Sequence, residues 1–176
     1  MNDQIVLVDK NDRTIGFKEK LRTQLEGDLH RALSIFIFDS AGNLLIQKRA
    51  MAKYHSGSLW SNTCCSHPRP GETIEDAAHR RLREEMGFDC RLKEVFSFIY
   101  KAKVNNDLTE HEYDHVLIGR FDGEPNPNAN EVDEWKWVQI EDLKSGIEKN
   151  PNYYTSWLVI SLDQVLAVWT AFNLAP

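Results

Sequence analysis

One charged helix pattern, Thr73 to Met86, stands between two groups of strand-like segments. That order suggests a sheet whose faces are covered by helices. Thr73 opens the helix, with Asp76 three residues on as a variant of the capping box, and Gly87 supplies a left-handed C-cap. Ahead of it, Gln4 to Asp9 carries the apolar run Ile5-Val6-Leu7-Val8. Ala32 to Phe38 is β-branched and aromatic, and the turn Asp39 to Asn43 joins it to a strand at Leu44 to Gln47. Met51 to Gly71 reads as irregular. Behind the helix come strands at Leu92 to Lys101, Glu110 to Phe121 and Glu134 to Ile140, the last with Trp135 and Trp137 on one face. Glu124 to Asn128 is a loop, and Glu141 to Lys149 a short helix. A last helix follows Pro151, with Leu158, Leu162, Val165, Trp169 and Phe172 as its apolar stripe. The pattern is α+β, a mixed sheet flanked by helices.

At 176 residues the chain is expected to be a single domain spanning residues 1–176. Hydrophobic residues at 41% and charged residues at 27% exclude a disordered or fibrous chain. The net charge of −6 disfavours nucleic acid as a partner, because a phosphate backbone needs a basic face. Small anions remain open to a few local Lys and Arg. No apolar run approaches a membrane span, and Met1 to Lys10 carries acids and lacks the apolar core of a signal peptide. Three cysteines, Cys64, Cys65 and Cys90, do not make a disulfide framework, so a cytoplasmic chain with reduced thiols is expected.

Three clusters bear chemistry. In Asn62 to Pro68, Cys65 and His67 are two apart and share a side if the segment is extended. Cys64 and Cys90 read as packing residues, and Cys65 reads either so or as an acid or nucleophile. On a strand, Glu110, Glu112 and Asp114 share one face, while His111, Tyr113 and His115 share the other. If the acidic face is solvated it needs no partner. If it is buried it needs a cation or a shared proton. In the helix, His79 to Glu85 is a charge run that ordinarily marks a solvated face. Glu85, however, sits at the end of the helix dipole that disfavours acids.

Glu72, Arg80-Arg81 and Glu84-Glu85 resemble a degenerate Nudix box, in which the usual glycine falls on Ser66 and one metal glutamate is Arg81. Asn62 to Pro68 and Glu110-His111-Glu112 resemble the type-one isopentenyl-diphosphate Δ-isomerases, a branch of the Nudix fold. Leu29 to Ala32, Gln47 to Ala50 and Trp157 fit as well, and the likeness runs from about Ile5 to Trp169. It implies an α/β/α sandwich and interconversion of isopentenyl and dimethylallyl diphosphate. Cys65 and Glu112 would be the acid–base pair, Tyr100 would hold Glu112, and Trp157 would lay its ring against the cation. It also implies a divalent metal (Mn2+, Zn2+ or Mg2+) on His30, His67, Glu110 and Glu112, and a second ion, Mg2+, between the diphosphate and Glu85. Lys20, Arg49, Lys53 and Arg81 would clamp the diphosphate.

The family's remaining histidine aligns with Gln24, whose neutral amide is a poorer ligand than imidazole. A labile metal is therefore expected, tightened by Gln24→His. The partners expected are a small diphosphate and, at most, a second copy in a weak homodimer. Two other readings compete: a Nudix hydrolase of a nucleoside diphosphate derivative, weakened by Arg81, and a non-catalytic Nudix-like binding module, favoured only by Gln24.

Overall fold

The structure, a computed structural model, describes residues 3–105 and 107–174, the last three by backbone alone. The chain runs β1 (Gln4–Val8), β2 (Thr14–Glu19), α1 (Lys20–Glu26), β3 (His30–Phe38), β4 (Leu44–Arg49), β5 (Trp60–Ser61), β6 (Cys64–Ser66) and α2 (Ile74–Met86). It continues with β7 (Leu92–Lys103), β8 (Thr109–Arg120), β9 (Val132–Val138), α3 (Ile140–Lys149), a 3-10 turn at Pro151–Tyr153 and α4 (Ser156–Leu174).

The β-branched run expected at 32–38 is the central strand of a nine-stranded mixed sheet. β3 pairs in parallel with β8 from His30↔Glu112 to Phe38↔Arg120. Along its other edge it meets β1 at His30, β6 at Leu33 to Ile35 and β4 at Phe38, all antiparallel. β3 is apolar at nearly every position because both of its faces are covered. Leu33, Ile35 and Ile37 pack with Leu117 against Ala77, Ala78, Leu82 and Met86 of α2. Phe36 and Phe38 pack with Val116 and Ile118 against Leu143 of α3 and Leu158, Leu162, Val165 and Trp169 of α4. The Phe38 and Trp169 rings stack with centroids 4.1 Å apart. The sandwich is therefore α2 over one face and α3 with α4 over the other.

Four of the five stripe residues of α4 are buried in that second core, and the side chain of Phe172 lies outside the described residues. Thr73 caps α2 by accepting from the Asp76 amide. β2 and α1 have no counterpart in the sequence reading. β2 is the outermost strand, exposed or half-buried throughout, and α1 buries only Thr23 and Gln24, so neither leaves an apolar period to detect. The stretch 51–71, read as irregular, holds β5 and β6. These are two and three residues long, and their pairing with β4 and β3 defines them rather than their own composition. Among the described residues no helix is long and apolar enough to cross a membrane.

The C-terminus of α2 is fastened by the loop behind it. The Asn126 and Asn128 amides donate to the carbonyls of Met86 and Glu85 at 3.0 and 2.9 Å. Gly87 ends the helix at φ +74°, and a Cβ there would lie 2.1 Å from the Asn126 carbonyl oxygen. Gly87→Ala is expected to lower unfolding stability by about 1–3 kcal/mol or more through left-handed strain and the clash together. Chemical denaturation measures this, and a variant as stable as the parent would contradict the close approach.

Candidate active site

The pleat of three neighbouring strands builds the site. Register sets His30 of β3 beside Glu112 of β8, and Tyr100 of β7 opposite Glu112 on its other side. Ser34 of β3 faces Cys65 of β6, while Ile35 faces Cys64. Paired residues point to the same side of a sheet. His30, Ser34, Cys65, Glu110, Glu112 and Asp114 therefore share one face, and Cys64 goes to the opposite face, into the core under α2. The acidic face of β8 is buried rather than solvated: Glu110 is 2% exposed and Glu112 8%.

Burial of two carboxylates requires compensation, and imidazoles supply it. His67 Nε2 lies 3.0 Å from Glu112 Oε1. His30 Nε2 lies 3.5 Å from Glu110 Oε2 and 3.6 Å from Glu112 Oε1. Tyr100 donates its hydroxyl to Glu112 Oε2 at 2.6 Å. Burial would raise Glu110, but His30 and His55 hold it well below the usual carboxylate range. Burial and the Glu110 charge oppose ionisation of Glu112, yet His30 and His67 lower it as well. Burial disfavours charge on His30, but Glu110 and Glu112 outweigh it and raise the pKa to about 9. Burial, with Lys20 behind it, drives His67 down to about 4. Asp114 is pushed well above its normal range, by burial first and then by Glu112, against the opposing hydrogen bond from the Ser34 hydroxyl.

One ligand atom from each of His30, His67, Glu110 and Glu112 falls within 4.8 Å of all the others. His30 Nδ1 lies 2.9 Å from the Asp28 carbonyl, which fixes the proton there and aims Nε2 inward. His30 Nε2 and Glu110 Oε2 are buried without a hydrogen-bond partner among the described residues. Orphaned donor atoms on an imidazole and a carboxylate, inside a two-His, two-Glu set, fit a divalent metal ion.

Gln24 reaches this group in a way the sequence did not indicate. Its amide nitrogen, not its carbonyl oxygen, faces Glu110 Oε1 at 2.7 Å, and the oxygen accepts from the Tyr54 hydroxyl at 2.5 Å. A residue the sequence reading passed over, His55, lies 3.0 Å from the same Glu110 oxygen. It sits in a loop without periodicity. Its only sequence signal was a further histidine two residues from Lys53.

One cavity joins the metal-type group to the remaining candidates. Lys20, Arg49, Lys53, Arg81, Cys65, Glu85 and Trp157 line it together with His67, Glu110 and Glu112. A larger cleft lined by Ser56, Lys103, Asn105, Pro151 and Ile160 holds none of these groups. Arg81 pairs with Glu85 and with Glu84 of its own helix, and reaches Glu131 at 3.3 Å. Lys53 also pairs with Glu131. Glu85 Oε2 accepts from Gln47 Nε2 at 3.0 Å. Three nitrogens of Arg49 are already engaged, on the Ser56 and His55 carbonyls and at 3.6 Å from Cys65 Sγ. Burial raises the Cys65 thiol to about 11, against the pull of Arg49. Trp157 donates Nε1–H to Ser61 Oγ and Asn62 Oδ1, and the Arg49 guanidinium lies 5.4 Å from its ring centroid. Cys90 packs against the α2-side core, away from the cavity.

The NUDIX domain family model matches residues 28–158. Among solved structures, the protein DR0079 of Deinococcus radiodurans superposes with a TM-score of 0.69 at 23% identity, over 83% of this chain and 89% of that one. A MutT Nudix hydrolase of Burkholderia pseudomallei does so at 0.62 and 22%, over 78% and 98%. These likenesses carry the fold. Sequence relatives are much nearer. Isopentenyl-diphosphate Delta-isomerase 2 of Photorhabdus laumondii is 58% identical over 157 residues, 89% of each chain. Isopentenyl-diphosphate Delta-isomerase 2 of Aromatoleum aromaticum is 54% identical over 167 residues, 95% of this chain and 88% of that protein. Identity this high, over nearly the whole length of both partners, places the chain in the Nudix family and, within it, among the isopentenyl-diphosphate Δ-isomerases.

Proposed function

We propose that this chain interconverts isopentenyl and dimethylallyl diphosphate, with Cys65 and Glu112 as the acid–base pair. The observation that carries the assignment is that these two groups flank β3 on one sheet face and line the cavity that also holds Lys20, Lys53 and Arg81. An unactivated alkene is a very weak base, so its protonation needs a placed acid, a base at the neighbouring carbon and a wall that tolerates positive charge. In the direction of dimethylallyl diphosphate, Glu112 gives a proton to the terminal carbon and Cys65 Sγ takes one from the carbon next to the cationic centre. The reverse reaction exchanges the roles. Burial raises the Cys65 thiol and the histidines lower Glu112, so a proton must pass to Glu112 before it can act as the acid. Arg49 beside Sγ stabilises the thiolate that forms when the proton moves to Glu112. Tyr100 orients the carboxylate, and the Trp157 ring, pinned by Ser61 and Asn62, faces the developing cation.

His30, His67, Glu110 and Glu112 would hold a divalent ion (Mn2+, Zn2+ or Mg2+), and Glu85 would meet Mg2+ together with the diphosphate. Bound there, such ions would supply positive charge that offsets the repulsion between the carboxylates and neutralises the diphosphate. Lys20, Lys53 and Arg81 complete the diphosphate clamp, and Arg49 joins it from the thiol side. Reduced thiols fit a cytoplasmic enzyme that acts on a small diphosphate, as a monomer or weak homodimer. The hydrolase alternative lacks an open carboxylate at the position of Arg81, whose guanidinium instead occupies Glu84 and Glu85.

Purified protein given isopentenyl diphosphate and Mg2+ in deuterated water is expected to form dimethylallyl diphosphate carrying solvent deuterium. Phosphate release without isomer would overturn the assignment in favour of hydrolysis. Cys65→Ala and Glu112→Gln are each expected to lower kcat by about 10²–10⁴-fold or more with the melting temperature retained. Cys64→Ala, on the opposite face, is expected to affect stability and leave turnover within a few-fold. Equal loss of turnover from the two cysteine variants would contradict the register of β6.

A further inference from the structure

Glu110 has an imidazole at each of its oxygens. His30 Nε2 is 3.5 Å from Oε2, and His55 Nε2 is 3.0 Å from Oε1. The second spacing equals that of His67 and Glu112. Two donors bound to one metal at right angles stand roughly 3 Å apart, given metal–nitrogen and metal–oxygen bonds of about 2.1 Å. His55 therefore stands to Glu110 as His67 stands to Glu112, with His30 between the two carboxylates.

The local hydrogen bonds suit ligation by His55. The side chain is 3% exposed, and the Tyr54 ring packs on it edge-on with centroids 4.6 Å apart. Nδ1 lies 3.2 Å from Ser56 Oγ. A proton on Nδ1 donated to that hydroxyl leaves a lone pair on Nε2 directed at Glu110. The Gln24 amide nitrogen, 3.4 Å from Nε2, matches that tautomer, since an N–H group meets a lone pair there. Nε2 and Glu110 Oε1 then face each other at 3.0 Å as two acceptors: without metal, a proton between them makes the hydrogen bond that lowers Glu110, and a bound cation would take that proton's place. In this arrangement Gln24 turns toward Glu110 its amide nitrogen, which has no lone pair to give a cation, and turns its oxygen toward the Tyr54 hydroxyl.

We propose that His55 supplies the third imidazole of the metal site in this chain, and that Gln24 serves as a hydrogen-bond donor to Glu110 rather than as a ligand. His55 joins the group of four at one edge, through Glu110, and ligation draws it in. The proposal rests on the reading of that group as a metal site, and the test separates the two. The apoprotein labelled with nitrogen-15 at histidine is loaded with cadmium-113 alone, and scalar coupling between metal and ring nitrogen is recorded. Coupling is expected at three histidines, with the His55 signal lost in His55→Ala while His30 and His67 remain coupled, which also controls for folding. Coupling at His30 and His67 alone overturns the role of His55 and leaves the metal site standing. Coupling at none of them overturns the metal site itself. Calorimetric titration with Zn2+ adds a second measure: His55→Ala is expected to weaken binding by at least about 10-fold, and Gln24→Ala, which removes only a hydrogen bond to Glu110, to weaken it less than His55→Ala while all three histidines keep their coupling to cadmium. A larger loss from Gln24→Ala than from His55→Ala would assign the ligand to position 24 after all.

Discussion

Two ionised carboxylates on successive inward positions of one strand are the constraint around which this molecule is arranged. Glu110 and Glu112 repel each other and lose their water on burial, and neither cost is met within β8 itself. Compensation comes from other parts of the chain: His30 from β3, His67 from the segment after β6, Tyr100 from β7, and His55 and Gln24 from a loop and a short helix. Each contact crosses from one element to another. The polar cluster therefore ties together pieces that the apolar cores hold only at a distance. Asp114 marks the limit of this compensation. Two residues further along the same face, Asp114 is met by the Ser34 hydroxyl in place of an imidazole, and burial pushes its carboxyl well above the usual range.

The same strand separates two kinds of chemistry by parity. Odd positions of β3 build the core beneath α2, and even positions build the core beneath α3 and α4. Towards the start of β3 the second face becomes polar, with His30 and Ser34 where Phe36 and Phe38 stand further on. The site is thus a continuation of a hydrophobic core whose residues have been exchanged for titratable ones. Its carboxylates are buried, and this low-dielectric setting strengthens the interactions that hold them.

The sequence disclosed this arrangement unevenly. α2 was legible because Thr73, Asp76 and Gly87 are local signals that act through their own backbone, and each does so in the fold. The alternation of β8 was legible because the pleat alone determines which residues share a face. Whether that face was wet or buried was not, since burial depends on β3 and β7, which lie far away in the chain. β2, α1, β5 and β6 escaped for a related reason: they exist through their pairings, and their compositions resemble loop. His55 was missed on the same grounds. The orientation of the Gln24 amide depends on Tyr54 and Glu110, 30 and 86 residues away, and no alignment of positions contains it.

Strand β6 is only three residues long, yet its register decides which of two adjacent cysteines meets the cavity. Side chains next to it hold that register. Asn62 donates to the Ile35 and Cys64 carbonyls at 3.0 and 2.8 Å, and Thr63 Oγ1 bridges the Ile37 amide and the Leu45 carbonyl at 2.9 and 2.6 Å. A slip of one residue would exchange the two thiols, carrying Cys65 into the apolar layer and Cys64 to the cavity. Composition here can drift wherever a hydrogen bond is preserved, but length cannot. A single inserted or deleted residue between Ser61 and His67 would turn the segment inside out, so register constrains the length of this stretch more tightly than its composition.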